Sequence, residues 1–482
     1  MLSTTIALNR FGLGIRPDEQ LPREPKRWLL QQLEHFEIRP QAFAQVPQRA
    51  QVIDQLADYL AAQRSAGKAK RQMQMASLPA NAMPQPTQVD EQAGELKKFL
   101  RQTIQQDYIV MNSARVDAAL TTASPFIERL VHFWANHFAV SIDKLPVIGL
   151  AGLLEFEAIR PHVLGKFADM LIAVEQHPAM LVYLDQAQSV GPQSLAGMRA
   201  AMRGGKQRGL NENLAREIME LHTLGVRTGY SQSDVTEFAR ALTGWTVGGL
   251  AGGPAARLIG GAPGEFQFAA FLHEPGKRTI MGKTYAEPGE AQARAILLDL
   301  AANAATAKHI STKLARHFAG DEPPSALVER LTDAYLRSGG DLPTLYRVLI
   351  ASPEPWAPRP LKFKNPWEWT VSALRAVGSS ELDPKVAAGL LRQLGQATWQ
   401  PGSPAGWDDI AASWAGPDAL VRRVEVAQRI ADKSGPSVDA RALAEKLFPG
   451  SLGDETRAAV ARAESPAEGL ALLLVSPEFL RR

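Results

Sequence analysis

Asn211-Glu-Asn-Leu-Ala-Arg-Glu-Ile-Met-Glu-Leu-His-Thr-Leu-Gly225 reads as an amphipathic helix closed by a glycine. Leu214, Ile218 and Leu221 fall three and four residues apart and form one apolar stripe. Asn213, Arg216, Glu217 and Glu220 cluster beside it within a sector of about 100°. His222 points away from the carboxylates, which makes it a poor co-ligand for a metal they would hold. The same period runs through Trp28-Leu-Leu-Gln-Gln-Leu33 and Val52-Ile-Asp-Gln-Leu-Ala-Asp-Tyr-Leu60. It resumes from Glu95 to about Phe138, from Leu145 to Leu184, at 232–243 and from Pro288 onward. The chain therefore reads as mainly α, a multi-helix globular bundle.

Four segments interrupt the pattern. Residues 64–94 lose apolar periodicity and read as a flexible loop. Residues 188–210 read as irregular and carry Arg199, Arg203, Lys206 and Arg208 with no acidic residue; such a loop is more often merely mobile and solvated, and beside carboxylates it also suits a lid. Residues 244–264 are glycine-rich. Glu265–Phe271 and Thr279–Gly282 read as one small β-hairpin near 265–285, turned by His273-Glu-Pro-Gly-Lys277. The expected organisation is an N-terminal helical region (1–94), a central motif-bearing domain with the hairpin (95–287) and a C-terminal helical region (288–482).

Composition excludes several classes. With 482 residues, 45% of them hydrophobic, the chain is long enough for a large core. It has no cysteine, so disulfides, thiolate zinc sites, iron–sulfur clusters and a cysteine nucleophile are excluded. Fifty-three basic against 50 acidic residues leave a net charge of +3, which implies no nucleic-acid partner. No run of about 18 apolar residues occurs, so no membrane span is expected. Met1-Leu-Ser-Thr-Thr-Ile-Ala-Leu-Asn-Arg10 has no basic n-region before an apolar stretch, which by itself suggests a cytoplasmic protein.

The chemistry-bearing candidates start with the polar face of 211–225. Two carboxylates one turn apart, an amide and a guanidinium suit a metal, an anion or acid–base work. The same residues equally suit a solvated face or a buried structural network. Glu217 is the acid–base or metal-ligand candidate and Arg216 the anion anchor, with Asn213 and Glu220 beside them. Asp185, His137, Arg240 and Lys277 are the residues expected to complete a substrate pocket. Ser231-Gln-Ser-Asp234 fits a capping box. His132 and His137, five apart, splay by about 140° on a helix and do not form a zinc pair; a core role suits His137 as well. His177-Pro178 suits a helix start, with Asp185 past its end or orienting a histidine. Gly276–Thr284 has one residue too many for a P-loop. No G-x-S-x-G or strand-borne G-x-G-x-x-G occurs. These residues specify neither a cofactor nor a metal.

Taken in order, several motifs resemble a bacterial family, the "domain of unknown function 1800" proteins, over nearly the whole chain. They are Leu8-Asn-Arg-Phe-Gly12, Phe133-Trp-Ala-Asn-His-Phe138, His177-Pro178 with Tyr183-Leu-Asp185, and Asn211–Glu217 with Glu220-Leu221 and Leu224-Gly225. Asp234-Val235, Ala239–Trp245, His273, Gly276-Lys277, Lys364, Pro366, Glu368, Gly406-Trp407 and Trp414 follow. The resemblance implies a mostly helical fold and no settled activity. It also implies a periplasmic location, since many members carry an export signal, and a partner in the "domain of unknown function 1501" family. A non-catalytic accessory protein is thus the alternative to an enzyme or ligand-binding protein, with Trp356–Trp369 and Trp399–Trp414 as interface candidates. Pro401-Gly-Ser-Pro-Ala-Gly-Trp407 departs from the family's tighter proline–valine–glycine–tryptophan pattern.

Overall fold

The computed structural model describes residues 2–75, 88–202, 209–250, 258–360, 362–435 and 438–482. It is mainly helical, with two small antiparallel sheets. The chain opens with α1 (Leu2–Ile6), which passes into a π turn at Ala7–Phe11. Two long helices follow, α2 (Arg49–Met75) and α3 (Gln88–Thr121), so the described parts of the expected loop 64–94 are helical. Ala, Lys, Arg, Gln and Met dominate 66–75, and their intrinsic helix preference prevails where the apolar period fades. Residues 76–87 lie outside the described residues.

Helix α4 (Pro125–His137) begins on a proline at its first position, where the missing N–H costs nothing, and is buried on nearly every side. Pro178–Tyr183 is a short helix capped by His177, whose Nδ1 accepts from the Ala179 amide at 3.2 Å. Part of the expected irregular segment 188–210 is also helical, at Leu195–Met202. That helix carries Arg199, while Arg203, Lys206 and Arg208 of the expected lid lie outside the described residues.

The segment expected as one helix over 211–225 is α5 (Asn213–Glu217) continued by a π turn, Ile218–His222. The wider turn breaks the 100° spacing assumed for a regular helix. Helix α6 (Gln232–Leu242) has the expected capping box between Ser231 and Asp234.

The strands pair differently from the expected hairpin. β1 (Trp245–Val247) pairs with β2 (Phe266–Phe268), and β3 (Arg278–Ile280) with β4 (Lys283–Tyr285). The tight turn is Met281-Gly282, with φ of 49° and 80°, the double left-handed pair of a type I′ hairpin. Pro275-Gly276 only leads into it, and the near-P-loop is this hairpin.

Helix α7 (Ala304–Ala319) is capped by Asn303, which accepts from the Ala305 amide at 2.8 Å. Helix α8 (Pro366–Ala376) starts from Asn365 with a second capping box, closed by Glu368. Helices α9 (Pro384–Gln393) and α10 (Pro417–Ser434) follow.

Two apolar cores result. The larger gathers α4, the α5 turn, α6, α7 and their neighbours. The smaller gathers α8, α9, α10 and the last helices, with Val116 and Leu120 of α3. The first residues serve both: Ile6, Ala7 and Phe11 pack in the larger core, Leu8, Leu13 and Ile15 in the smaller. No helix among the described residues is long and apolar enough to cross a membrane.

Candidate functional site

A cavity of about 550 Å³ opens where the two cores meet. Helices α4 and α7 form one side; the start of α8 and the loop 396–410 form the other. Helix α7 turns Ile310, Leu314 and Phe318 into the core. On another face, His309, Lys313, Arg316 and His317 fall four, three and one residues apart and line the cavity.

The Lys313 ammonium donates to Nδ1 of His137 at 2.9 Å. His137 then carries its proton on Nε2 and donates it to the His222 carbonyl at 3.1 Å. Behind it, His222 Nδ1 lies 2.7 Å from the buried Glu175 carboxylate. Burial pushes the Lys313 amine down to about 8. Among the described residues Lys313 makes no ion pair, so its remaining donors face the cavity. His309 spans from Nε2 to the Leu221 carbonyl (3.2 Å), and burial, then the Lys313 charge, hold it at about 4.

The opposite wall is aromatic. The Arg115 guanidinium lies 3.9 Å from the Trp367 ring centre and 5.7 Å from that of Trp399. Its Nε donates to both oxygens of buried Glu155, at 2.9 and 2.8 Å, which leaves both terminal nitrogens without a partner among the described residues. Trp399 donates to the same carboxylate at 2.9 Å and has φ of 50°. A bulky residue in that region costs about 1–3 kcal/mol, the kind of local strain that collects at functional sites. At the rim, Asn136 accepts from the Trp407 amide at 2.7 Å and donates to its carbonyl at 2.8 Å.

The cavity floor is an ion network that crosses between the cores. Glu368 accepts from Arg129 and from Arg482, the latter at 2.8 Å. Burial raises this carboxyl, but Arg482 and Arg129 outweigh burial and hold it well below the ordinary carboxylate range. His317 Nδ1 lies 2.9 Å from Asp409, and Lys362 donates to Asp321 at 2.9 Å. Burial holds His317 at about 4 despite Asp409. Desolvating these ions costs several kcal/mol each, so such a network is weak evidence for stability by itself. It leaves the carboxylates of Glu368, Asp321 and Asp409 occupied, while among the described residues Arg115, Lys313 and Arg316, whose Nε donates to the Asp321 carbonyl at 3.3 Å, keep further donors free.

Among the residues expected to form the site, Asn213 is exposed, and Arg216 pairs with Glu212 at 3.2 Å. Glu217 and Glu220 are half-buried. Burial raises the Glu217 carboxyl, His222 opposes it, and Glu220 adds to it. None of these four lines the cavity; the π turn instead presents Leu221 to it. His137 sits directly beneath Lys313. Asp185 pairs with Lys144 at 2.6 Å past the end of its helix, Arg240 pairs with Glu237, and Lys277 is exposed before β3. These three do not meet His137.

Most tryptophans of the two interface candidates donate within the fold. Trp356, Trp369 and Trp414 donate to the Ile350, Leu474 and Asp408 carbonyls at 2.8, 2.9 and 2.8 Å. Trp367 donates to His132 at 3.0 Å. Among the described residues no group of three or more His, Asp or Glu is arranged to hold a metal ion.

Sequence reasoning missed Arg115, His309, Lys313, Arg316 and His317. The signal was the polar spacing along 309–317, set beside an apolar stripe of the same helix.

A family model described as a protein of unknown function (DUF1800) matches residues 6–481. No curated protein and no solved structure matches the chain.

Proposed function

This chain belongs to the DUF1800 family, whose description assigns no activity, and we propose that it binds a small polar molecule with an anionic group in the cavity at the meeting of its two cores. The observation that carries this reading is the inequality of partners within the cavity. Among the described residues the carboxylates of Glu368, Asp409 and Asp321 are occupied by Arg129, Arg482, His317 and Lys362, whereas Arg115, Lys313 and Arg316, which also line the cavity, keep donors to spare. Charge-assisted donors of this kind favour a carboxylate or phosphate, and a guanidinium adds planar recognition. Trp367 and Trp399 supply apolar walls, so the remainder of the ligand has a flat or ring face.

In this reading Lys313 is the anion anchor and the proton-exchanging group, with His137 as its positioning residue. Asn213, Arg216, Glu217 and Glu220 act indirectly: their helix carries the π turn whose Leu221 and His222 carbonyls hold His309 and His137. Supporting this is a cavity volume within the range of small-molecule sites.

Calorimetry against a panel of carboxylates and sugar phosphates tests the proposal. Saturable binding of at least one member is expected, weakened at least tenfold by both Lys313→Met and Arg115→Met. A panel that fails to bind, or binding that both variants leave unchanged, overturns it.

A further inference from the structure

We propose that a second, separate pocket, formed where α8, α9 and α10 meet, binds an unbranched aliphatic chain ending in a carboxylate. The slot has a volume of about 330 Å³. Its walls are Leu374 and Val377 from the end of α8, Leu382 and Val386 at α9, and Val426 and Ile430 on α10. Leu374, Val426 and Ile430 are buried in the smaller core, while Val386 is 38% exposed at the opening. The slot thus runs from the surface toward the interior with aliphatic carbon on each side. Among the described residues no acidic side chain lines it.

The mouth carries charge of one sign. Arg429 and Lys433, one turn apart on α10, are both exposed and both line the pocket. Arg429 donates to the Gln393 side chain, which leaves its charge unpaired. Lys433 has no hydrogen-bond or ion-pair partner among the described residues. Of the acids on the same helix, Asp432 accepts from Gln428 at 2.8 Å, and Glu425 accepts at 3.4 Å from the same Gln393 amide that Arg429 bonds, without lining the pocket. An aliphatic depth with two cations at its entrance matches a chain with an anionic head. It does not match a neutral apolar ligand or a cationic one.

Each methylene buried in such a slot is worth about a fourfold gain in affinity, until the slot is full. Calorimetry with straight-chain carboxylates from hexanoate to dodecanoate, at monomeric concentrations, reads this directly. A stepwise rise of about fourfold per methylene followed by a plateau is expected. The alcohol of equal chain length should bind at least tenfold more weakly. Arg429→Glu with Lys433→Glu should remove that preference and leave the alcohol's affinity unchanged. Ile430→Trp should block both ligands; Val386→Trp, on a partly exposed residue, does the same without disturbing the core. Absence of saturable binding, equal affinity for alcohol and carboxylate, or retained binding in Val386→Trp overturns the proposal. Each readout is independent of Lys313 and Arg115, so failure here leaves the larger cavity untouched.

Discussion

Lys313 Nζ lies 2.9 Å from His137 Nδ1, so a buried imidazole accepts from the cation that faces the cavity. The imidazole cannot neutralise that cation. It holds the amine in place and leaves its charge available, and the low local dielectric makes the proton easier to lose.

Anion binding should therefore weaken as pH rises through about 8, where Lys313 loses its proton. Stability should move in the opposite direction. The unfolded lysine titrates near 10.4 and binds more protons than the folded one between about 8 and that value, so the fold gains stability as pH rises through this window. Affinity measured by calorimetry and melting temperature, both from pH 7 to 10, should diverge in wild type. Lys313→Arg should flatten the affinity curve over the same range.

Glu368→Gln keeps a side chain able to close the capping box with Asn365. It removes the negative charge between Arg129 and Arg482. Leaving these buried cations unbalanced should cost about 3–5 kcal/mol, read as a lowered denaturation midpoint.

Acid should destabilise the protein through two histidines. Burial holds His309 and His317 at about 4, below their unfolded value near 6.5. Between those values the unfolded chain binds protons that the fold does not. Stability should then fall by up to about 1.4 kcal/mol per pH unit for each histidine as pH drops from 6.5 to 4. Melting curves across that window should show a shallower slope in His309→Gln and His317→Gln.

Gly406 has φ of 81°, and a Cβ there would lie 2.2 Å from the Asn136 carbonyl oxygen. Gly406→Ala should displace Trp407 from its paired bonds with Asn136, at a cost of about 1–3 kcal/mol. Tryptophan emission should shift and anion affinity should fall, while the far-ultraviolet helical signal stays.

Local signals are legible in this sequence where the chemistry is local. The Ser231–Asp234 box, the His177 cap and the rejected P-loop all depend on residues within a few positions of one another. The helical period also sufficed for the fold class. It failed at Ile218–His222, because a π turn changes the angle per residue without a sequence mark of its own. It failed at 64–75, where helix preference acts without an apolar stripe. The strand partners differ from those expected because Met281-Gly282, not Pro275-Gly276, supplies the tight turn. The cavity was the least legible feature. Arg115, Lys313, Glu368 and Asp409 stand far apart along the chain, and no periodicity links residues that only the meeting of two cores brings together.

The sharing of the first residues between both cores has a consequence for how this chain is made. Thr5 and Asn9 bond to the carbonyls of Pro449 and Leu447, and Arg10 to those of Pro355 and Ala357. Phe11 meets Phe126 as well as the later Phe318 and Trp356, whereas the bonds of Thr5 and Asn9 reach residues more distant still. Thr5, Asn9 and Arg10 stay without these partners until residues 355–449 have been made, an interval in which a chaperone or early aggregation competes for the segment. Closure of this segment is therefore expected to be slow, since the bond from Thr5 to Pro449 spans 444 positions.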